Sequence, residues 1–408
     1  MRVALACHNF PPEFRGGTER VVHALALALR DAGDEVVVFA GSDLPHDGRD
    51  VIEEDGEGVR VLRLRRRPDE GYGLVVRNRR LRDLVVQRVR QEGCDLLHVH
   101  HWSTLSGQLA RKARSCDVAV IATLHDLWTT CGRFFRRPPP GIVCPEAAGR
   151  EACVPCAAVS LEVPLPSLAR GIRHRDREIQ RELRAVQILT APSRFCADAV
   201  ARHAPWSGPI EVVPHGLLEP VAAGDRAQAF AEGRPLRVGT FGNLVREKGV
   251  LLLVEAAAGL PDVELHLAGP FLEPAFAAEV EDLAARLGVR VLCHGAWRPG
   301  EPHPATMLDL AVFPSLCQET YGLVVEEALA RGVPVVVSDL GALGERVGAA
   351  GLVVPPTLEA MRPALREATS AARLAALRVA TQRRFATIAD ATSRYREFYR
   401  RALAATGG

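Results

Sequence analysis

Lysine is almost missing from this 408-residue chain: Lys112 and Lys248 are its two occurrences, and arginine supplies the other 49 basic residues. Such a skew follows genome composition, so a surviving lysine hints at a place where a compact ammonium serves and a planar fork does not. Long apolar runs are missing too. No eighteen consecutive residues are apolar, which excludes a transmembrane helix. Met1-Arg2 leads straight into Val3-Ala4-Leu5-Ala6, too short for a signal-peptide core. The net charge of +2 argues against nucleic acid as a partner of the whole protein. Two nucleotide fingerprints are also absent. Cys7-His8-Asn9-Phe10 and Gly239-Thr240-Phe241-Gly242 lack the Gly-x-Gly-x-x-Gly spacing of a dinucleotide turn, and no Walker glycine-lysine pattern occurs.

What is present has the composition of an ordinary globular enzyme, 48% hydrophobic and 25% charged, and is too long for one core. Ten cysteines scattered mostly through apolar segments fit a reducing cytoplasm. Strand-like segments recur at Val3-Ala6, Val36-Phe39, Val59-Leu62, Leu96-Val99, Val118-Leu124, Gln187-Thr190 and Glu211-Val213, with helical patterns such as Glu19 to Asp31 and Leu81 to Glu92 between them. That alternation implies parallel pairing in a doubly wound sheet. After a polar, alanine-rich stretch it restarts, with strands at Leu236-Phe241, Val263-Ala268, Val289-Leu292, Leu310-Phe313, Val335-Ser338 and Leu352-Val354. The expected helices there include Val250-Ala258, Pro274-Leu287 and Val325-Arg331, and Leu358 to Thr406 reads as entirely helical. Two Rossmann-like domains follow, over residues 1–215 and 216–385, with a helix over 386–408 returning to the first. Facing each other, they would leave a ligand cleft.

The most informative stretch joins the apolar run Leu310-Phe313 to a helix through Glu319-Thr320-Tyr321-Gly322, with Glu327 inside the helix. Amides of Gly322, Leu323 and Val324 at that helix start would cradle an anion such as phosphate. A carboxylate in the turn can hold sugar hydroxyls, and one within the helix a ribose; the plainer alternative is an acid complementing the helix dipole. The loop Gly242-Asn243-Leu244-Val245-Arg246-Glu247-Lys248-Gly249 opens the second domain, and Arg246 and Lys248 there could neutralise a diphosphate leaving group or simply form a solvated turn. In the first domain, Gly16-Gly17 permit close backbone approach before a helix. His125-Asp126 ends a strand, where the histidine would touch a sugar hydroxyl or be packed, and His98, His100 and His101 crowd another strand end without an acid at metal-ligand spacing.

These pieces together resemble the family-four retaining glycosyltransferases. Gly16-Gly17, Thr123-Leu124-His125, Ala191-Pro192-Ser193, Val213-Pro214-His215-Gly216, Gly242 to Gly249, and Glu319 to Glu327 occur in that family's order along nearly the whole chain. The resemblance implies an α/β GT-B fold of two facing Rossmann-like, doubly wound parallel-sheet domains with a C-terminal helical segment crossing back. It implies transfer of a sugar from a nucleotide-sugar donor to a glycan, lipid-linked or small-molecule acceptor. On that basis the second domain binds donor: Glu327 holds the ribose, Glu319 the donor sugar, Lys248 the diphosphate, with Asn243, Tyr321, Gly322, Leu323 and Val324 around them. Gly16 and Gly17 approach the diphosphate and His125 the sugar. Asn243 stands where the family usually carries arginine, and Arg246 is the residue that could reach the same phosphate from another register. The resemblance further implies a front-face route in which the departing phosphate takes the acceptor proton, with no cofactor required. A sugar-nucleotide epimerase, a phosphorylase and a non-catalytic nucleotide-sugar-binding protein are the alternatives.

An insertion over residues 126–165 carries Cys131, Cys144, Cys153 and Cys156. One Cys-x-x-Cys pair among them suits a structural zinc, reduced packing thiols or disulfides. The arginines and aromatics of Arg133 to Pro140 sit where an anionic or lipid-linked acceptor would enter, and the run Arg77-Asn78-Arg79-Arg80-Leu81-Arg82 offers either a solvated helix face or a peripheral membrane contact. The expected location is the cytoplasm or the inner membrane face.

Overall fold

Apolar segments buried on both faces write themselves as near-continuous Val, Ile, Leu and Ala runs, and the strands of two parallel sheets lie where those runs are. The structure, a computed structural model, describes all residues except 68–69, 71–75, 133–135, 137–143, 145–151, 159–164, 205, 207, 228–232, 299 and 407–408. The chain divides into two compact units, Met1–Glu219 with Ala386–Gly408, and Pro220–Phe385.

In the first unit β1 (Arg2–Cys7), β2 (Glu35–Ser42), β3 (Val51–Asp55), β4 (Arg60–Arg65), β5 (Leu96–Val99), β6 (Ala119–Thr123), β7 (Ile188–Ala191) and β8 (Ile210–Val212) form one sheet in the order β3-β4-β2-β1-β5-β6-β7-β8. All pairings are parallel except that of β3 with β4. Strand β3 has no counterpart in the sequence reading. It is a polar edge strand, held by Arg60 against Glu53 and by Arg63 against Glu54 at 2.6 Å, so its pairing is written in charge rather than apolar periodicity.

The C-terminal segment folds as three helices, Leu358–Ala368, Ala371–Val379 and Ile388–Ala404, with no strand among them, in keeping with its helical pattern. The last belongs to the first unit. Thr387 and Asp390 form a capping box at its start. Its Tyr395, Phe398 and Tyr399 are buried in one apolar cluster with Val3, Leu5 and Leu25. Two of its polar tips find partners inside: Tyr399 Oη lies 2.9 Å from His98 Nδ1, and Tyr395 Oη is 3.2 Å from Thr123 Oγ1.

In the second unit β9 (Leu236–Phe241), β10 (Val263–Ala268), β11 (Val291–Gly295), β12 (Leu310–Phe313), β13 (Val335–Ser338) and β14 (Gly351–Val354) are all parallel, in the order β11-β10-β9-β12-β13-β14. Strand β11 begins two residues later than its apolar pattern suggests, because the Val289 amide is spent on the Ala284 carbonyl where helix Pro274–Leu287 ends. Strand order reverses between β9 and β12, whose carboxyl ends therefore lie side by side with their following helices on opposite faces. In open α/β sheets that reversal is where ligands bind.

Candidate functional site

Everything singled out in the second unit hangs from this reversal. The loop after β9 carries Gly242 to Gly249, and the loop after β12 carries Ser315 to Gly322. The two are stitched together by the Leu316 amide donating to the Glu247 carbonyl at 2.7 Å. Gly249 has φ +71° and lies so close to Pro314 that a Cβ would overlap the proline carbonyl oxygen. Glycine there lets the loops approach without strain. Gly322 opens helix Leu323–Ala330 at φ +82°, where a Cβ would collide with Leu343.

This approach brings Lys248 and Glu319 together. The ammonium donates to Glu319 Oε1, and the Ser315 hydroxyl donates to the same oxygen at 2.9 Å. Burial opposes the charge on Glu319, yet Lys248, Ser315 and the more distant Arg346 outweigh it and hold the carboxyl below its ordinary range. Burial likewise works against the Lys248 ammonium, and the charge and hydrogen bond of Glu319 overcome it, raising its pKa. Lys248 nevertheless keeps 39% of its side chain accessible. A fixed cation that can still be reached, beside an ionised carboxylate and a helix start, can receive a phosphate group.

Arg246 goes elsewhere. Its guanidinium is bonded to Glu279 on helix Pro274–Leu287, lies 4.0 Å from Glu273 and stacks 4.7 Å over the Phe276 ring. The expected pair of cations is thus one lysine, with Arg246 drawn to a neighbouring helix. Asn243 is exposed at the tip of the β9 loop. Leu323 and Val324 are half-buried at the helix start, whereas Tyr321 turns inward: its hydroxyl donates to Glu326 at 2.7 Å and its ring carries Arg346 at 4.0 Å. Glu326, which the sequence reading passed over, is buried, and burial raises its pKa in spite of the Tyr321 bond.

Glu327, also buried, places its Oε2 3.7 Å from His303 Nε2. His303 packs edge-on to Phe241 at 5.1 Å and to Trp297 at 5.8 Å, giving an aromatic wall beside the carboxylate. Neither ring was foreseen. A single histidine before Pro304 and a single tryptophan beyond β11 carry no periodic signal, and only the closing of the sheet joins them to Glu327.

The first unit has its own reversal, between β1 and β5. His8 and Asn9 leave β1, His100 and His101 leave β5, and His125 and Asp126 leave the adjacent β6. Glu19, in the first turn of helix Gly17–Asp31, accepts from Asn9 at 3.1 Å and lies 3.2 Å from His8. Burial resists its ionisation, but His8, Asn9 and its own backbone amide hold it down at about 2. Gly16 is the residue before that helix, and a Cβ on it would overlap the Glu19 carboxylate. The helix start that follows Gly16-Gly17 thus already holds an anion of its own.

His125 is packed: it shares a 2.9 Å hydrogen bond with His100 and stacks on His215 at 5.0 Å. Burial, with His101 next, takes its pKa down to about 3, so it is a neutral imidazole. His101 is bonded to Asp126 at 3.0 Å.

Cys131, Cys144, Cys153 and Cys156 are each half-buried. Among the described residues no group of three or more His, Cys, Asp or Glu side chains could hold a metal ion, and much of the loop joining these cysteines lies outside those residues. So does most of the expected acceptor entrance, residues 133–135 and 137–140; Arg136 is buried, 3.5 Å from Cys144 Sγ. In the basic run, Arg77 bonds Glu178, Arg80 bonds Glu70 and Asp50, and Arg82 bonds Asp83, which consumes most of its charge locally. No helix among the described residues is long and apolar enough to cross a membrane.

Two family models match the chain. Residues 15–217 match "Glycosyltransferase Family 4", and residues 235–370 match "Glycosyl transferases group 1". The chain is 27% identical over 435 aligned positions to a glycogen synthase of Mycobacterium tuberculosis, covering 96% of this chain and 94% of that one. It is 29% identical to a D-inositol 3-phosphate glycosyltransferase of Nocardia farcinica, over 83% and 73% of the two chains. Among solved structures, a sucrose-phosphate synthase from Thermosynechococcus elongatus superposes with a TM-score of 0.70 at 22% identity, covering 99% of both chains. The Anabaena HepE protein in complex with UDP and glucose gives 0.65 at 17% identity, covering 97% and 98%.

Proposed function

The chain belongs to the family-four glycosyltransferases, GT-B enzymes that use a nucleotide-sugar donor, and from that premise we propose how its residues divide the work. The second unit binds the donor. Lys248 meets the diphosphate, drawing on an ion pair with Glu319 that is made before substrate arrives. The amides of Gly322, Leu323 and Val324 add hydrogen bonds to the same phosphate, and Glu319 is left to orient the sugar hydroxyls. Glu327 takes the ribose, with the rings of His303 and Trp297 offering a face to the base.

The observation that carries this reading is the Lys248–Glu319 pair at the β9/β12 reversal. As the glycosidic bond breaks, charge grows on the diphosphate, and an ammonium already positioned there stabilises it without reorganising. The acceptor sits in the first unit, and neutral His125 contributes a hydrogen bond rather than a charge. Transfer retains the anomeric configuration, with the leaving phosphate taking the acceptor proton and no carboxylate nucleophile needed. The enzyme works in the cytoplasm, building a polysaccharide, glycolipid or glycoside. A thermal-shift panel of UDP-, GDP-, ADP- and TDP-sugars tests the donor site, because a bound ligand raises the melting temperature. One base should stabilise the protein, Glu327→Ala should abolish that shift, and Lys248→Ala should mainly lower turnover. Unchanged binding and unchanged rate in both variants would remove the assignment.

A further inference from the structure

Helix Leu165–Leu183 is amphipathic in an unusual sense: both of its faces are charged, one inward and one outward. Its inner face is locked. Leu168, Ile172, Ile179 and Leu183 are buried, Arg175 lies 4.6 Å over the Trp128 ring, and Glu182 accepts from Trp102 Nε1 at 3.0 Å and from the amides of Ala110 and Arg111. The outer face carries Arg170, Arg173, Arg177, Arg181 and, just beyond the helix end, Arg184, all exposed. Steps of three and four residues put these five on one stripe about 21 Å long.

Charge along this stripe is barely answered. Arg181 bonds Glu178, but that carboxylate already serves Arg77 and Arg111. Among the described residues Arg170, Arg173, Arg177 and Arg184 make no ion pair, and the acids of the helix other than half-buried Asp176 are the buried Glu178 and Glu182. Lys112 and Arg114, half-buried on the contacting helix Leu109–Arg114, carry the same sign. The excess is regional: the first unit holds 35 Lys and Arg against 30 Asp and Glu, the second 16 against 19.

We propose that this stripe docks the first unit onto an anionic lipid surface. The inference stands apart from the donor-site reading, since none of these arginines belongs to it. A rigid, one-sided row of cations suits charges spread over a plane. The helix has no Phe, Tyr or Trp, and the one ring on its outer face is the small imidazole of His174, which leaves nucleic-acid bases little to stack on and disfavours single strands.

Sedimentation with vesicles tests it, using phosphatidylcholine with and without phosphatidylglycerol and heparin as a soluble polyanion. The protein should sediment with the anionic vesicles at low salt, be released by high salt, and ignore phosphatidylcholine alone. Arg173→Gln/Arg177→Gln should keep the parent's circular dichroism and melting temperature yet bind roughly thirty-fold more weakly, about five-fold for each arginine. Equal vesicle binding by parent and variant would overturn the proposal. So would no binding by the parent, or a parent preference for heparin over anionic vesicles.

Discussion

Acidification from about pH 7.5 to about pH 5.5 should destabilise the first unit through its buried histidines. His98, His100 and His125 are buried, and burial pushes each well below the ordinary imidazole value. The folded unit therefore binds fewer protons below about pH 6.5 than the unfolded chain, and its stability falls as pH falls. At about pH 5.5 each such group costs roughly 1.4 kcal/mol, or about 4 kcal/mol for the three. His8, also lowered by burial, acts in the same direction. Glu182 opposes them: burial raises its carboxyl to about 7 against the pull of the Ala110 and Arg111 amides, so the folded unit gains a proton in this interval. That gain is worth about 2 kcal/mol. Glu19 and Asp126, held below the usual carboxylate range, stay ionised throughout. The net loss is thus at least about 2 kcal/mol, and Glu182→Gln, which removes the offset, should deepen it by about 2 kcal/mol. Urea titration followed by Trp102 and Trp128 fluorescence reads the change. A midpoint that is unmoved or rises on acidification, in parent and variant alike, would refute the reasoning.

Tyr399→Phe keeps the ring but removes the partner of His98 Nδ1 inside the core, which should cost about 1–3 kcal/mol in chemical denaturation while leaving nucleotide binding intact. Gly249→Ala forces a Cβ onto the Pro314 carbonyl at a positive φ, so the two loops must part. Turnover should fall sharply with little change in circular dichroism, and a fully active variant would mean that Lys248 does not depend on this approach.

Much of this architecture was readable because buried parallel strands leave little choice of residue. Leu236–Phe241, Val263–Ala268, Leu310–Phe313 and helix Pro274–Leu287 lie where their patterns place them. Helix Leu165–Leu183 escaped notice for a specific reason: its inward face uses Arg175, Glu178 and Glu182, so charge satisfied inside looks in sequence like charge facing water. Strand β3 was hidden by the same effect at a sheet edge. In the second unit, the rarity of lysine and the turn before helix Leu323–Ala330 pointed to Lys248 and Glu319, which the fold brings into contact. The lean of Arg246 toward Glu279 was not legible, because a charge in a loop states no direction. Glu19 and His303 were missed because their partners are distant in sequence or on another strand end.

The return of Ile388–Ala404 to the first unit sets an order on synthesis. Residues 220–385 form a continuous stretch and can be completed as soon as they emerge from the ribosome, whereas the half made first waits with an open hydrophobic flank until the seventeen-residue helix Ile388–Ala404 has emerged. A nascent chain stalled before Ile388 has emerged would therefore be a protein whose second unit is finished and whose first is not.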